Sequence, residues 1–321
     1  MTAPEVYRGR RRFLKLGAAT GCALAAGGVG WVAHRRYAVP GAASLPVVPA
    51  GVLARFPGER AARYDARPLT PRDAAASHNN FFEMSEDKDD VAERARGFVH
   101  RPWTIEIAGE CHAPRTFDVW ELVRRFGLEE RVYRHRCVEA WAMAVPWNGF
   151  PLASLLSLAG PTSHARYVRF VSFHAPEQAP NQRSASFPWP YHEGLRIDEA
   201  MHELAFLAVG VYGEILPVQH GAPIRLVVPW KYGYKSAKSI ARIELVRERP
   251  RTFWSTVVPS EYDFESNVDP LVPHPRWSQA TERMLGTGEL RPTQLMNGYV
   301  EEVAGLYRSG SVSERRRGGR G

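Results

Sequence analysis

The sequence predicts an α+β fold built on mixed sheets. Apolar runs of strand length outnumber helical periods, and the two are not regularly interleaved as a doubly wound parallel sheet requires. Neither Gly-x-Gly-x-x-Gly nor Gly-x4-Gly-Lys-Ser occurs, so the dinucleotide and phosphate-loop architectures have no support. The 321 residues are 44% hydrophobic and 24% charged, enough for a substantial core and unlike a disordered chain or a coiled coil. Pro at 25 and Gly at 27 point to many turns.

Taken in order, residues 37–95 form a Pro- and Ala-rich arm with one aromatic island, Ser77-His78-Asn79-Asn80-Phe81-Phe82-Glu83. Trp103 to Ile107 alternates as a strand. Val119, Leu122, Val123 and Phe126 recur at helical spacing behind Thr116 as the expected cap. Pro151 opens a short helix from Leu152 to Ala159. Tyr167–Phe173, Leu204–Tyr212 and Ile224–Val228 read as buried strands, and Ala241–Leu245 as a half-exposed one. Past 250, short elements and loops wrap the core.

Residues 1–36 carry a net charge of +6 and residues 314–321 add +3, which leaves the body at −1. Positive charge confined to the two ends provides no basic face, which argues against nucleic-acid binding. Arg10-Arg11-Arg12-Phe13-Leu14-Lys15 precedes a weakly apolar stretch holding five glycines, too polar for a spanning helix. The order resembles a twin-arginine export signal, with Gly9 where Ser or Thr usually stands. That route implies the twin-arginine export machinery as a partner, a periplasmic location, and a cofactor acquired before export. The expected organisation is signal and start of arm over 1–40, arm over 41–95, and catalytic domain over 96–321.

Beyond Cys22 in the signal, the cysteines are Cys111 and Cys137. Arg134, His135 and Arg136 directly precede Cys137 and are expected to lower its pKa, giving a thiolate suited to nucleophilic attack or to a soft metal. His135-x-Cys137 lacks the second pair a zinc site needs. A buried inert thiol and a Cys111–Cys137 disulfide stay open at this point. The other concentration of signal is His220 to Ser239, with Arg225 on a strand and Lys231, Lys235 and Lys238 in the loop after it. Such a loop suits an anionic ligand such as a phosphate, and a solvated lysine-bearing turn has the same composition.

Arg136-Cys137-Val138-Glu139-Ala140-Trp141, Pro229-Trp230-Lys231-Tyr232-Gly233 and Asn79-Asn80-Phe81-Phe82-Glu83 together resemble the catalytic subunits of periplasmic protein-methionine-sulfoxide reductases, molybdenum enzymes of the sulfite oxidase family. Tyr191-x-Glu193-Gly194-Leu195, Asp198-Glu199-Ala200-Met201 and His274-Pro275-Arg276-Trp277-Ser278-Gln279-Ala280-Thr281 extend the resemblance from about Ser77 to Tyr307. It implies one molybdenum held by one molybdopterin, with Cys137 as the protein ligand. It also implies that Asn79, Phe82 and Glu83 hold the pterin from the arm, joined by Ser172, His220, Arg225, Ser236, Ala237 and Lys238. Ser172 stands where the family commonly has Thr, His220 where it has Asn, and Phe82 where it has Tyr. His220 is expected to titrate near neutral pH.

The implied reaction is reduction of methionine sulfoxide, free or in oxidised periplasmic proteins, to methionine. Residues 96–321 carry no haem-attachment motif, and the resemblance implies a haem-containing integral membrane subunit as electron donor. Two rivals stand beside this reading. A sulfite dehydrogenase on the same fold would need convergent cations for a dianion, and Arg134 and Arg136 are the candidates. Trp141, Trp147, Trp230, Tyr232 and Trp277 instead favour a neutral sulfoxide. The second rival is a metal-free, disulfide-bonded periplasmic binding protein.

Overall fold

The computed structural model describes residues 59–66 and 68–307. The expected export signal and the part of the expected arm before Glu59 lie outside them. Thirteen strands among the described residues form two mixed sheets. In the first, β4 (Glu129–Arg136) and the 11-residue β5 (Trp141–Pro151) form an antiparallel hairpin. Outside it lie β1 (Glu59–Asp65), parallel to β4, and β8 (Phe206–Val211), antiparallel to β5. β8 carries β9 (Glu214–Ile215) and β10 (Arg225–Val227), while β12 (Thr281–Met284) lies parallel to β5 and carries β13 (Leu290–Pro292).

The second sheet runs β3 (Arg115–Asp118), β2 (Thr104–Gly109), β11 (Ile240–Val246), β6 (Tyr167–Ser172), β7 (His192–Arg196), with the β2–β11 pair parallel and the others antiparallel. The mixed α+β architecture expected from the sequence is present.

Periodicity explains which faces are covered. In β2 the side chains of Ile105 and Ile107 are buried and those of Thr104 and Glu106 half-buried, the alternation of a strand with one face on the core. β5 is buried along nearly its whole length, flanked by strands, and its text is apolar apart from Asn148, whose Oδ1 accepts from Gly213 N (3.0 Å). The helix Val119–Phe126 buries Val119, Leu122 and Val123. Its cap is Asp118 and not Thr116: the Asp118 carboxylate accepts from Trp120 N (2.9 Å) and Glu121 N (3.1 Å), whereas Thr116 sits inside β3 opposite Glu106. The helix Leu152–Ala159 ends at left-handed Gly160 as a C-terminal cap.

Two connections place the functional residues. The β4–β5 turn carries Cys137 at the end of the first sheet. The segment from β10 to β11 crosses from the first sheet to the second, held by Leu226 N to Ala237 O (2.9 Å) and Ile240 N to Ile224 O (3.2 Å). The crossing was expected to be a cationic loop, yet two of its lysines are buried ion pairs: Lys231 with Glu199 (2.6 Å) and Lys235 with Glu193 (2.7 Å). Only Lys238 is left for a ligand.

The β4–β5 turn is braced from beneath. Arg136, with no exposed surface, donates to the Cys137 carbonyl, to Gln279 Oε1 (2.8 Å) and to Thr293 Oγ1 (3.2 Å), and its Nε lies 3.2 Å from Glu282 Oε2. Glu282, equally buried, also binds Arg134. Removing one member of a buried pair strands the other's charge. Glu282→Ala should therefore cost about 3–5 kcal/mol of unfolding free energy, read from the denaturant midpoint. A loss below about 1 kcal/mol, the scale of an exposed ion pair, would show that the pair does not brace the turn.

Candidate functional site

Where the β4–β5 turn, the β10–β11 crossing and the arm meet, they enclose a cleft with about 1340 Å³ of empty volume, its open mouth included. Of the residues singled out in the sequence, Asn79, Phe82, Glu83, Cys137, His220, Arg225 and Lys238 line it. Ser172, Ser236 and Ala237 are not on its surface. Ser172 Oγ donates to the Lys238 carbonyl (2.7 Å), Ser236 Oγ accepts from Val228 N (3.2 Å), and the Ala237 carbonyl accepts from Leu226 N. They shape the backbone on which Arg225 and Lys238 stand.

Cys137 is 5% exposed and its turn is closed by Cys137 N to Trp141 O (2.9 Å), with Ala140 at φ 66°. The Val138 carbonyl takes two donors, Gln279 Nε2 (2.7 Å) and Trp277 Nε1 (2.8 Å), which gives the His274–Thr281 motif its role: it holds the thiol turn from outside. Around the sulfur stand Asn80 Nδ2 (3.2 Å), the Glu139 amide (3.4 Å) and Glu139 Oε2 (3.7 Å). Lys88, buried, pairs with Glu139 (2.8 Å) and helps keep it ionised by holding its carboxyl below the ordinary range.

The expectation of a lowered thiol pKa does not hold. Burial, then the Glu139 charge, push Cys137 up to about 12, and the opposing pull of the Glu139 amide, Lys88 and Arg136 does not offset them. The free thiol is thus protonated, and a soft cation would have to displace the proton to bind. Cys111 and Cys137 are both free cysteines, so no disulfide joins them.

The opposite wall is cationic. Arg225, 2% exposed, lies over the Trp147 ring at 4.8 Å and donates to the carbonyls of His220 (3.1 Å), Leu226 (3.2 Å) and Ser236 (3.4 Å). Lys238 approaches the Phe81 ring at 5.8 Å. Neither forms a salt bridge among the described residues. Burial, then Arg225, draw Lys238 down to about 7, and burial draws Arg225 down to about 9.

Glu83, raised by burial to about 7, is their acidic neighbour. Its Oε1 and the Asn79 Oδ1 are buried without hydrogen-bond partners. Two under-compensated cations facing two orphaned acceptors across a cleft with one thiol form the donor set an anionic, hydrogen-bonding cofactor with a soft metal would satisfy. Among the described residues no group of three or more His, Cys, Asp or Glu could hold a metal ion.

The aromatic lining differs from expectation. Of Trp141, Trp147, Trp230, Tyr232 and Trp277 only Trp141 lines the cleft. Trp230 is fully buried against Tyr307 (Nε1 to Oη 2.8 Å), Tyr232 faces the Arg136 guanidinium at 5.9 Å, and Trp277 stacks on His274 at 3.7 Å. The walls are instead Phe82, Phe187, Tyr191, Trp254 and Tyr262, a cluster that Phe82 organises from the arm through ring contacts at 5.0 Å with Phe187 and Trp254. Asn80 and Glu139 lay inside motifs read from the sequence. Lys88 and Tyr262 lay in polar text without a local signal.

His220 does not titrate near neutral pH. Burial first, then Arg225 and Lys238, lower it to about 3. In the unfolded chain it takes up a proton near pH 6.5 that the folded chain refuses until about 3, so its contribution to stability is lost as pH falls through that window. In cofactor-free protein, His220→Asn should flatten the decline of unfolding free energy between pH 6.5 and 3, by at most about 1.4 kcal/mol per pH unit. Parallel curves for variant and wild type would place His220 in solvent.

Residues 94–254, half of the chain, match the family model described as the oxidoreductase molybdopterin binding domain. Among solved structures the chain is similar to the sulfane dehydrogenase SoxCD from Paracoccus pantotrophus, at 17% identity and a TM-score of 0.43, over 85% of this chain and 64% of that one. The chain thus spans just under two thirds of the length of that relative. With its thiol turn, cationic wall and arm assembled around one cleft, the chain belongs to the oxidoreductase molybdopterin-binding domain family, and its cofactor is molybdenum–molybdopterin.

Proposed function

We propose that this oxidoreductase reduces methionine sulfoxide, free or within oxidised exported proteins, in the periplasm. It receives electrons from a separate haem-containing integral membrane subunit. The observation that carries the substrate assignment is the division of charge around Cys137. Arg134 and Arg136, its cationic neighbours in sequence, are bound to Glu282 and absent from the cleft, where Lys88 beside the thiol is paired with Glu139 and Phe82, Phe187, Trp254 and Tyr262 supply aromatic walls. A sulfite dianion would lose its hydration there without convergent cations to replace it, whereas a sulfoxide is neutral with apolar substituents. The Arg10–Lys15 order supports export in the folded state.

Molybdopterin, when bound, supplies the two-electron oxygen-atom transfer that turns a sulfoxide, two electrons and two protons into a thioether and water. Cys137 supplies the protein thiolate and the braced turn fixes its direction. Arg225 and Lys238 hold the cofactor's phosphate, with Ser172, Ser236, Ala237 and His220 supporting them from behind or beside. Asn79, Phe82 and Glu83 hold the pterin from the arm. Phe187, Trp254 and Tyr262 exclude water from the substrate's methyl group.

With a reduced viologen dye as donor, the holoenzyme should consume methionine sulfoxide at least about tenfold faster than it oxidises sulfite with an artificial acceptor, a ratio that needs only ~1.4 kcal/mol of differential desolvation. The soluble dye should suffice without a membrane. Efficient sulfite oxidation with no dye oxidation on methionine sulfoxide would transfer the assignment to sulfite dehydrogenation.

A further inference from the structure

Three tyrosines line the cleft, and their hydroxyls differ in what they do. Tyr191 Oη donates to the Tyr234 carbonyl (2.7 Å), and Tyr234 Oη is bonded to Ser266 Oγ, so both are committed to holding the fold. Tyr262 Oη has no hydrogen-bond partner among the described residues, although its side chain is buried to all but 8%. Its ring is wedged edge-on against Tyr234 (5.2 Å), tilted on Trp254 (5.4 Å) and beside His274 (5.9 Å), so it is not free to turn out of the cleft. The charges that act on this hydroxyl come from Glu261, Glu139, Arg276 and Cys137, which puts it on the thiol side of the cleft. Burial and the neighbouring acids keep the phenol protonated and therefore a donor.

The hydroxyl itself reaches the surface of the cleft, where its hydrogen is available to a ligand acceptor. Of the other donors on the thiol side, Asn80 Nδ2 bonds Cys137 Sγ and Glu139 and Lys88 Nζ pairs with Glu139, while Trp141 Nε1 is buried beside Glu139 without a hydrogen-bond partner. We propose that Tyr262 is the catalytic residue that donates its hydroxyl hydrogen to the sulfoxide oxygen, orienting the S–O group toward the Cys137 side of the cleft while the aromatic walls take the alkyl groups. A sulfoxide oxygen carries much of a formal negative charge and gains more as the S–O bond lengthens, so this hydrogen bond strengthens along the reaction and acts on kcat more than on KM. The inference rests on the sulfoxide reading above and specifies which atom of the protein recognises the substrate class.

The test replaces only the hydroxyl. Holoenzyme carrying Tyr262→Phe should keep its molybdenum content and melting temperature, while kcat for methionine sulfoxide with the reduced dye falls on the order of 10- to 100-fold. A second readout is independent of turnover. In oxidised holoenzyme labelled with 3-fluorotyrosine, the fluorine resonance that disappears in Tyr262→Phe should shift on adding dimethyl sulfoxide and stay in place with dimethyl sulfide, which lacks the oxygen. Wild-type activity on methionine sulfoxide with an unimpaired Tyr262→Phe variant, or a resonance indifferent to the sulfoxide, would overturn this inference alone. Wild-type enzyme inert toward methionine sulfoxide would overturn the substrate reading and this inference with it.

Discussion

The Arg136 guanidinium, wholly buried, reaches the Cys137 carbonyl on one side and Glu282, Gln279 and Thr293 on the other. The thiol sits on a tight turn at the end of a hairpin, where a residue would ordinarily be among the least constrained in a sheet. Here Arg136, together with Gln279 and Trp277 on the Val138 carbonyl, converts that turn into a fixed platform. Burial beside Glu139, with Arg134 and Arg136 paired to Glu282, leaves the Cys137 thiol protonated until a metal takes the proton's place.

Charge in the cleft is segregated by the sheet that supplies it. The first sheet ends in a thiol with a neutralised surround, since Lys88 matches Glu139. The crossing to the second sheet brings Arg225 and Lys238 together without a matching pair of carboxylates. The fold therefore spends stability on cations drawn below their ordinary pKa by burial, a cost that an anionic cofactor reverses. The arm completes the enclosure: Phe81 packs on Phe173, Phe82 on Phe187 and Trp254, and the carbonyls of Phe82 and Glu83 bond Asn181.

Alternation and apolar runs made β2, β6, β8, β10 and β11 legible, whereas β4 and β5, which carry the Cys137 turn between them, were not read as strands. The Asp118 cap was mistaken for Thr116 because both residue types cap helices and only the strand pairing of β3 separates them. At the site, motifs drew attention to Cys137, Arg225, Lys238 and the arm, all of which line one cleft. Partner choice was not legible. Whether Arg136 or Lys231 faces a ligand or a buried carboxylate depends on Glu282 and Glu199, residues distant in sequence. The aromatic wall was misread for the same reason, since tryptophans in core strands and tryptophans in a cleft have the same local text.

The account depends on Cys137 being the protein's bond to molybdenum, and absorption at the molybdenum K-edge measures that bond directly. The spectrum of the holoenzyme should show a protein thiolate in addition to the pterin sulfurs, and Cys137→Ser protein that still holds the cofactor should lose one sulfur from the shell while Cys111→Ser protein keeps it. An unchanged sulfur shell in the Cys137 variant would contradict the account at its centre.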